Sequence, residues 1–412
     1  MQAENNKNHI QTITFGCRLN AVESEKIAEM LVDAMPRAVV VNTCAVTGEA
    51  ERQSAQYVRR VARENPNTPI FITGCAATHD TKPFEQIPNV RVITNDEKMN
   101  RETYIRAVAD FDFTPNAEIR VSNPDTPMSK QFVQIQNGCN HDCTYCITRL
   151  LRGPSVSLEY DDILADVRDA IKNGYNEIVL TGVDSASYHK IYDGKPFLIS
   201  NLCRKLLADV PEIRRLRLSS MDPASPEIYK IIDLMHENPR MMPHLHLSMQ
   251  SGSDTVLRAM RRRHTNKMVR DIVACATDIS FSWDIICGFP GETDEYFNET
   301  MQLVADTKPI KIHAFPFSPR PGTDAAKMPE QVAKSVAKSR VRTITNAATG
   351  NRKDFMAAHL GFKTSVLVEE NNHGRTPHDI SVIILGEPIP NRTICDCKII
   401  GIDGESFVVI AE

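Results

Sequence analysis

The sequence predicts an α/β protein in three parts: an N-terminal parallel α/β sheet domain, a central partial (β/α)6 barrel and a small C-terminal antiparallel β-barrel. Three observations predict it. Short apolar runs alternate with helix-length segments both before and after a proline-containing stretch near residues 113–130, which is the rhythm of parallel β/α units. Cysteines and glycines stand directly after these runs, where open sheets and β/α barrels present their ligand sites. From Gly361 the pattern changes to alternating runs separated by Gly, Asn and Pro, as in a small all-β module.

The N-terminal domain, 1–112, contains four strand-like runs: His9–Phe15, Ala38–Val41, Pro69–Thr73 and Val90–Ile93. Three of them end at a small or polar residue and a cysteine, in Gly16-Cys17, Thr43-Cys44 and Gly74-Cys75. Cysteine is common in cores, so each alone reads as a buried structural residue. Three on successive units, 27 and 31 positions apart, can converge at one sheet edge as metal ligands.

Residues 113–130, with Pro115, Pro124 and Pro127, read as a linker. The central domain, 131–358, carries six strand candidates: 131–136, 177–180, 216–219, 244–248, 282–287 and 311–315. Residues 159–173 and 253–262 have the clearest amphipathic helical spacing. Six β/α units in about 200 residues fit an incomplete β/α barrel. A long helix from Pro329 to about His359 bridges to the C-terminal module, 359–412, with strands near 364–368, 381–385, 393–400 and 406–410.

The 412 residues exceed one ordinary core. A composition of 42% hydrophobic and 24% charged residues is that of a soluble globular protein. No apolar run approaches the ~18 residues of a membrane span, and the first residues lack a signal-peptide core. A cytoplasmic protein with no membrane partner is expected. Eleven cysteines in that compartment argue for metal or redox use rather than disulfides. The net charge of −4 is not the basic signature of a nucleic-acid binder.

The most informative stretch is Cys139-Asn-His-Asp-Cys143-Thr-Tyr-Cys146, with C-x3-C-x2-C spacing. A closed zinc site takes four protein ligands. A [4Fe-4S] cluster on three thiolates leaves one iron free for a cofactor. This spacing resembles the cluster motif of the radical S-adenosylmethionine (SAM) enzymes, whose free iron binds the amino and carboxylate groups of SAM.

With the three N-terminal cysteines and the C-terminal module, the whole chain resembles the radical SAM methylthiotransferases. Asn42–Thr47, Leu245–Gly252, Arg261-Arg262, Gly288–Thr293 and Phe315–Met328 look most like the branch that modifies N6-threonylcarbamoyladenosine at position 37 of tRNA. The resemblance implies a transferase with a radical SAM partial barrel and a TRAM-like RNA-binding module. It further implies two [4Fe-4S] clusters, one on Cys139, Cys143 and Cys146 and one on Cys17, Cys44 and Cys75. SAM serves as radical source and methyl donor. The implied partners are tRNA, a one-electron reductant such as flavodoxin or ferredoxin, and a sulfur donor.

By the same resemblance, Tyr145 packs against the SAM adenine, and Thr181, Gly182, Val183 and Asp184 contact the methionine part. Gln250, Ser251, Ile286 and Gly288 fit ribose- and adenine-side contacts. Each has a plainer reading: a core aromatic for Tyr145, a turn at Thr181-Gly182, and buried polar groups satisfied by backbone at Gln250 and Ser251. Arg258–His264 is the densest basic cluster, suited to phosphate contacts or to a solvated helix face. Arg149 and Arg152 follow the thiol loop and are expected to touch RNA or the SAM carboxylate, whereas His141 and Asp142 read as loop polar groups. Cys203, Cys275 and Cys287 read as core, and Cys395-Asp-Cys397 as two thiols on one strand face. Residues 360–412 contain 4 Lys/Arg against 8 Asp/Glu, an acidic balance for an RNA-binding module. The rival readings are methylthiolation of a ribosomal-protein aspartate and a non-enzymatic metal-binding RNA module.

Overall fold

The structure is a computed structural model and describes residues 10–109, 111, 119–121 and 128–412. Most of the expected linker, including Pro115, Pro124 and Pro127, lies outside the described residues. Four parallel strands form the N-terminal sheet in chain order: β1 (Ile10–Thr14), β2 (Ala38–Thr43), β3 (Ile70–Gly74) and β4 (Val90–Val92). Both faces are covered, as parallel sheets require. Val39, Val41 and Ile72 pack with Val58 and Val61 of α2 (Gly48–Glu64). Val40 and Phe71 pack with Ile27 and Leu31 of α1 (Arg18–Val32). The Thr47 hydroxyl accepts a hydrogen bond from the Ala50 amide at 3.1 Å, and Glu49 and Glu51 fall in the first turn of α2, where the helix dipole favours acidic groups.

The central six strands are β5 (Gln131–Gln134), β6 (Glu177–Thr181), β7 (Arg215–Leu218), β8 (His244–Gln250), β9 (Ser280–Cys287) and β10 (Lys311–Pro316). All their pairings are parallel, and they follow chain order. A two-residue strand, Ser220–Met221, continues from β7 and joins it to β8. Leu245, Leu247, Phe281, Trp283 and Ile312 enter the outer core, so the alternate positions face the barrel interior. Val22 of α1 packs on Phe132 and Val179, covering the inner face beside β5 and β6. A hairpin of His189–Tyr192 with Lys195–Leu198 has only weak sequence signals. The bridging helix, α3 (Lys334–Ala358), starts five residues later than expected.

The C-terminal module is a closed barrel of β11 (Lys363–Val368), β12 (His373–Arg375), β13 (Ser381–Leu385), β14 (Ile394–Asp403) and β15 (Ser406–Ala411). Four seams are antiparallel, but β13 and β15 are parallel. The expectation of a wholly antiparallel barrel is corrected at that seam. The β14–β15 hairpin turns at Gly404, φ +57°, and inserts as a unit, which brings β15 alongside β13. The three-residue β12 is too short to show alternation.

This module docks against the lower end of the partial barrel. Arg215 donates to the Arg375 carbonyl at 3.1 Å and to the Ser365 hydroxyl at 2.9 Å. Arg217 donates to the Pro377 carbonyl at 3.1 Å. Both arginines converge on buried Glu177, at 3.3 and 2.8 Å. Burial pushes the Glu177 carboxyl up, but Arg217, Lys130 and Arg215 outweigh it and hold it down at about 2. Its contribution to stability is therefore complete above the ordinary value of 4.5 and is lost as pH falls through about 2. Glu177→Gln should cost ~3–5 kcal/mol at neutral pH by stranding buried cations. Thermal melts of the variant should also fall less steeply than wild type over that acid range, and parallel curves would contradict this assignment.

Candidate functional site

Cys17, Cys44 and Cys75 directly follow β1, β2 and β3, which are adjacent in the sheet. Gly16, φ +100°, lies so close that a Cβ there would sit 2.8 Å from the Cys44 sulfur. Burial pushes the Cys44 thiol up to about 11, and both Cys17 and Cys75 are near enough to add to the shift. The three thiols thus meet at one sheet edge.

The second set lies beyond β5. Gly138, φ +69°, lets the chain fold back tightly, since a Cβ would fall 1.9 Å from the Pro154 carbonyl oxygen. The Cys139 amide donates to the Gly153 carbonyl at 3.1 Å and the Cys146 amide to the Cys143 carbonyl at 3.1 Å. Thr144 fastens the loop: its amide reaches the Met260 carbonyl at 3.2 Å, its hydroxyl the Ala259 carbonyl at 3.0 Å, and its carbonyl accepts from the Ala325 amide at 2.8 Å. Burial raises the Cys139 thiol to about 11.

Neither triple is arranged for a single ion. Tetrahedral zinc would bring sulfurs about 3.8 Å apart, whereas among the described residues only Cys139, His141 and Asp184 bring three ligand atoms within 4.8 Å of one another. That close group is explained by the 2.6 Å contact of His141 Nε2 with an Asp184 carboxylate oxygen. Two wider sets of three thiols suit a multi-iron cluster, whose metal–sulfur cage spans more than one ion.

The remaining site residues separate into two groups. Tyr145 and Ile286 share one apolar cluster with Val256, Met260, Phe289 and Ala325. Thr181 and Gly182 lie at the end of β6, where a Cβ on Gly182 would stand 2.8 Å from Gln136 Oε1. Gln136 Oε1 accepts from the Asp184 amide at 2.9 Å, Val183 is half-buried beside it, and Gln250 is half-buried with φ +67°. Ser251 and Gly288, by contrast, have structural partners. The Ser251 hydroxyl accepts from the Ser253 amide at 3.2 Å. The Gly288 amide donates to Glu292 at 2.6 Å, and a Cβ there would meet Ala337 of α3 at 2.5 Å.

Several expectations from residue type are corrected. Arg152 is not free for RNA or for the SAM carboxylate: its buried guanidinium lies 2.8 Å from Glu23. Arg149 pairs with Asp142 at 2.8 Å on the surface and stays accessible, so its expected role is not among those corrected. His141 is more than a loop polar group, because it pairs with Asp184. Arg262 and Arg263 both bind Asp222 at 2.8 Å, and Arg262 also lies 3.7 Å from the Cys143 sulfur. Burial pushes the Asp222 carboxyl up, but Arg262 and the Arg263 hydrogen bond outweigh it and hold it below the usual range. Cys275 is exposed, whereas Cys203 and Cys287 are buried; the Cys395 and Cys397 sulfurs stand 3.5 Å apart. Asp222 lies in a strand-end stretch, Ser219–Asp222, that the sequence marks as a candidate, whereas Glu23, whose partners are far away in sequence, had no local signal.

The two thiol sites are neighbours. The helix Thr148–Arg152 begins two residues after Cys146. Its Leu151 carbonyl accepts from Asn95 at 2.9 Å, and the Asn95 amide nitrogen is 3.9 Å from the Cys75 sulfur. Arg152 also donates to Asn20 at 2.5 Å, and Asn20 Oδ1 lies 3.7 Å from the Cys17 sulfur. On the other side, the loop after β10 ties to α2 through Ser318 and the Gly48 amide, 3.2 Å, and through Arg320 and Glu51, 2.6 Å.

Comparison with known proteins agrees with this arrangement. The radical SAM superfamily model matches residues 133–304, and the model of uncharacterized protein family UPF0004 matches residues 9–95. A threonylcarbamoyladenosine tRNA methylthiotransferase, MtaB, of Rickettsia prowazekii is 36% identical over 385 residues, covering 90% of each chain. The MtaB of Thermotoga maritima is 33% identical over 380 residues, covering 86% of this chain and 85% of that one. A tRNA-2-methylthio-N(6)-dimethylallyladenosine synthase of Mannheimia succiniciproducens is 30% identical over 428 residues, covering 95% and 90%. Among solved structures, the radical SAM methyltransferase TsrM of Kitasatospora setae superposes with a TM-score of 0.53 at 15% identity, over 73% of this chain and 66% of that one, a likeness of fold. With its full-length relatives and its two converging sets of three thiols, this chain belongs to the radical SAM methylthiotransferase family.

Proposed function

We propose that the protein adds a 2-methylthio group to N6-threonylcarbamoyladenosine at position 37 of tRNA. The observation that carries this reading is the 36% identity over 90% of the chain to a relative named for that reaction. Radical chemistry suits the product, because carbon 2 of the adenine carries an unactivated C–H bond that no side-chain base could deprotonate. SAM bound at a [4Fe-4S] cluster supplies, when present, the one-electron cleavage that yields a 5′-deoxyadenosyl radical, and a second SAM supplies the methyl group.

In this reading Cys139, Cys143 and Cys146 hold the radical-generating cluster. Cys17, Cys44 and Cys75 would hold a second cluster, which would supply a place for the sulfur that is transferred. Tyr145 and Ile286 flank the adenine of SAM. Thr181, Gly182, Val183 and Asp184 face its methionine part, and Gln250 its ribose. Ser251 and Gly288 make further contacts on the ribose and adenine side. Asp222 and the Arg262 guanidinium orient the Cys143 loop. The domains are 1–112, 131–358 and 359–412, joined by the linker 113–130, and the setting is the cytoplasm. A one-electron reductant such as flavodoxin or ferredoxin and a sulfur donor complete the reaction.

Nucleoside mass spectrometry of tRNA from a deletion strain and its parent tests the substrate. The 2-methylthio derivative of N6-threonylcarbamoyladenosine should disappear from the deletion strain and return on complementation. An unchanged level, or loss of the dimethylallyl derivative instead, overturns the reading.

A further inference from the structure

On the inner face of the partial barrel, β8, β9 and β10 present His246, Asp284, Lys311 and His313, each half-buried. Arg18, the residue after Cys17, reaches into the same space. Its guanidinium lies 5.5 Å from the centroid of the Phe132 ring, which packs on Val179 of the inner face of β6. Arg18 is solvent-accessible at its surface yet close enough to feel charges on β9 and in the C-terminal barrel. It therefore projects into an open lumen rather than into bulk solvent.

The polar groups of this lumen are unevenly satisfied. His246 is engaged on both nitrogens, with Nε2 3.0 Å from Asp284 and Nδ1 2.8 Å from the Ser282 hydroxyl. Asp379, at the bottom, lies 3.9 Å from Lys130 and 3.7 Å from Arg375. The side chains of Arg18, Lys311 and His313 have no hydrogen bond or ion pair to another described residue; Asp379 is the charge felt most strongly by Arg18 and by Lys311, Lys311 also feels Arg18, and His313 feels both cations. Like charges facing one another in a partly desolvated space repel. Such a group is stabilised when an anion enters and accepts from all of them. Burial, with Lys311 beside it, holds the His313 imidazole below its ordinary range, so at neutral pH it offers a ring N–H without adding charge.

We propose that Arg18, Lys311 and His313 form a carboxylate-binding subsite inside the partial barrel, and that it takes the threonyl carboxylate of the substrate's N6 side chain. The proposal rests on the substrate reading above. A base presented at the upper strand ends, beside the Cys139 loop, directs an N6 substituent down the lumen. The threonylcarbamoyl group ends in an anion, whereas a dimethylallyl group is neutral and apolar and would leave the cations unpaired. The subsite thus selects for the acidic side chain and against the neutral one.

Anticodon stem–loop RNAs carrying either N6-threonylcarbamoyladenosine or its threoninamide analogue at position 37 test this. Their affinities for the full chain, reconstituted with iron and sulfide, are measured by fluorescence anisotropy. Wild type should prefer the acid over the amide by about tenfold to a hundredfold, the range of charge-assisted hydrogen bonds. Lys311→Met and, independently, Arg18→Gln should remove most of that preference, with iron content reporting that each variant is folded and loaded. Absence of the preference in wild type, or its persistence in both variants, overturns the proposal. Equal weakening of both RNAs, with a shallower salt dependence, would identify the anion as a backbone phosphate and would also overturn it. Turnover keeps the two readings apart. Wild type that methylthiolates only dimethylallyl RNA refutes the substrate reading, whereas wild type that accepts the threonylcarbamoyl RNA without an acid–amide preference refutes the subsite alone.

Discussion

Cys143→Ala should abolish reductive cleavage of SAM to 5′-deoxyadenosine, and methylthiolation with it, while the N-terminal thiols still bind iron. The Cys143 sulfur sits under Arg262, 3.7 Å away, in a loop that Thr144 pins to the Met260 and Ala259 carbonyls. The backbone should keep its course when the thiol is lost, so the defect is one of coordination and not of folding. Two thiols do not hold a four-iron cluster in place of three, and iron should fall from about eight to about four per chain. Iron analysis and chromatography of the SAM products check both parts. A variant that still cleaves SAM would remove this loop from the chemistry, and one that loses all iron would show that the two sites do not load separately.

Glu23→Gln should destabilise the junction between the two thiol sites. Glu23 on α1 lies 2.6 Å from Lys98 and 2.8 Å from Arg152, and all three side chains are 2% exposed. Burial pushes the Glu23 carboxyl up, but Lys98 and Arg152 outweigh it and hold it below its ordinary range. Removing its charge leaves two buried cations facing each other, at a cost of ~3–5 kcal/mol. The effect should be felt at both thiol sites, since Arg152 ends the helix that follows Cys146 and also grips Asn20 beside Cys17. Lower melting temperature and reduced iron loading are expected. Glu23→Gln/Lys98→Met should recover part of the stability by removing one stranded cation, and a double variant no better than the single would refute the electrostatic account.

The acidic C-terminal module also takes a clearer role. Arg375 and Asp379 pair with each other and with Lys130 and Glu369 at the lower end of the partial barrel. Some of its few cations are therefore spent on docking.

The sequence by itself determined the positions of the six cysteines relative to the strands. A short apolar run followed by Gly-Cys or Thr-Cys marks both the strand and its end, and the ten strands of the two β/α domains lie at or within two residues of the runs. The Cys139–Cys146 spacing is likewise local information. Only the tertiary structure decided what the charged residues do. Arg152 and Glu23 are 129 positions apart, Arg262 and Cys143 are 119 apart, and Arg18 and Lys311, distant in sequence, lie close enough for their charges to interact. Local periodicity reports which face of an element is buried, but not which distant element buries it. Hence Arg152, read as a ligand-facing cation, proved to be a buried tie, and one barrel seam proved parallel. Burial pattern is written in neighbouring residues, whereas charge pairing and seam direction depend on how whole elements cross.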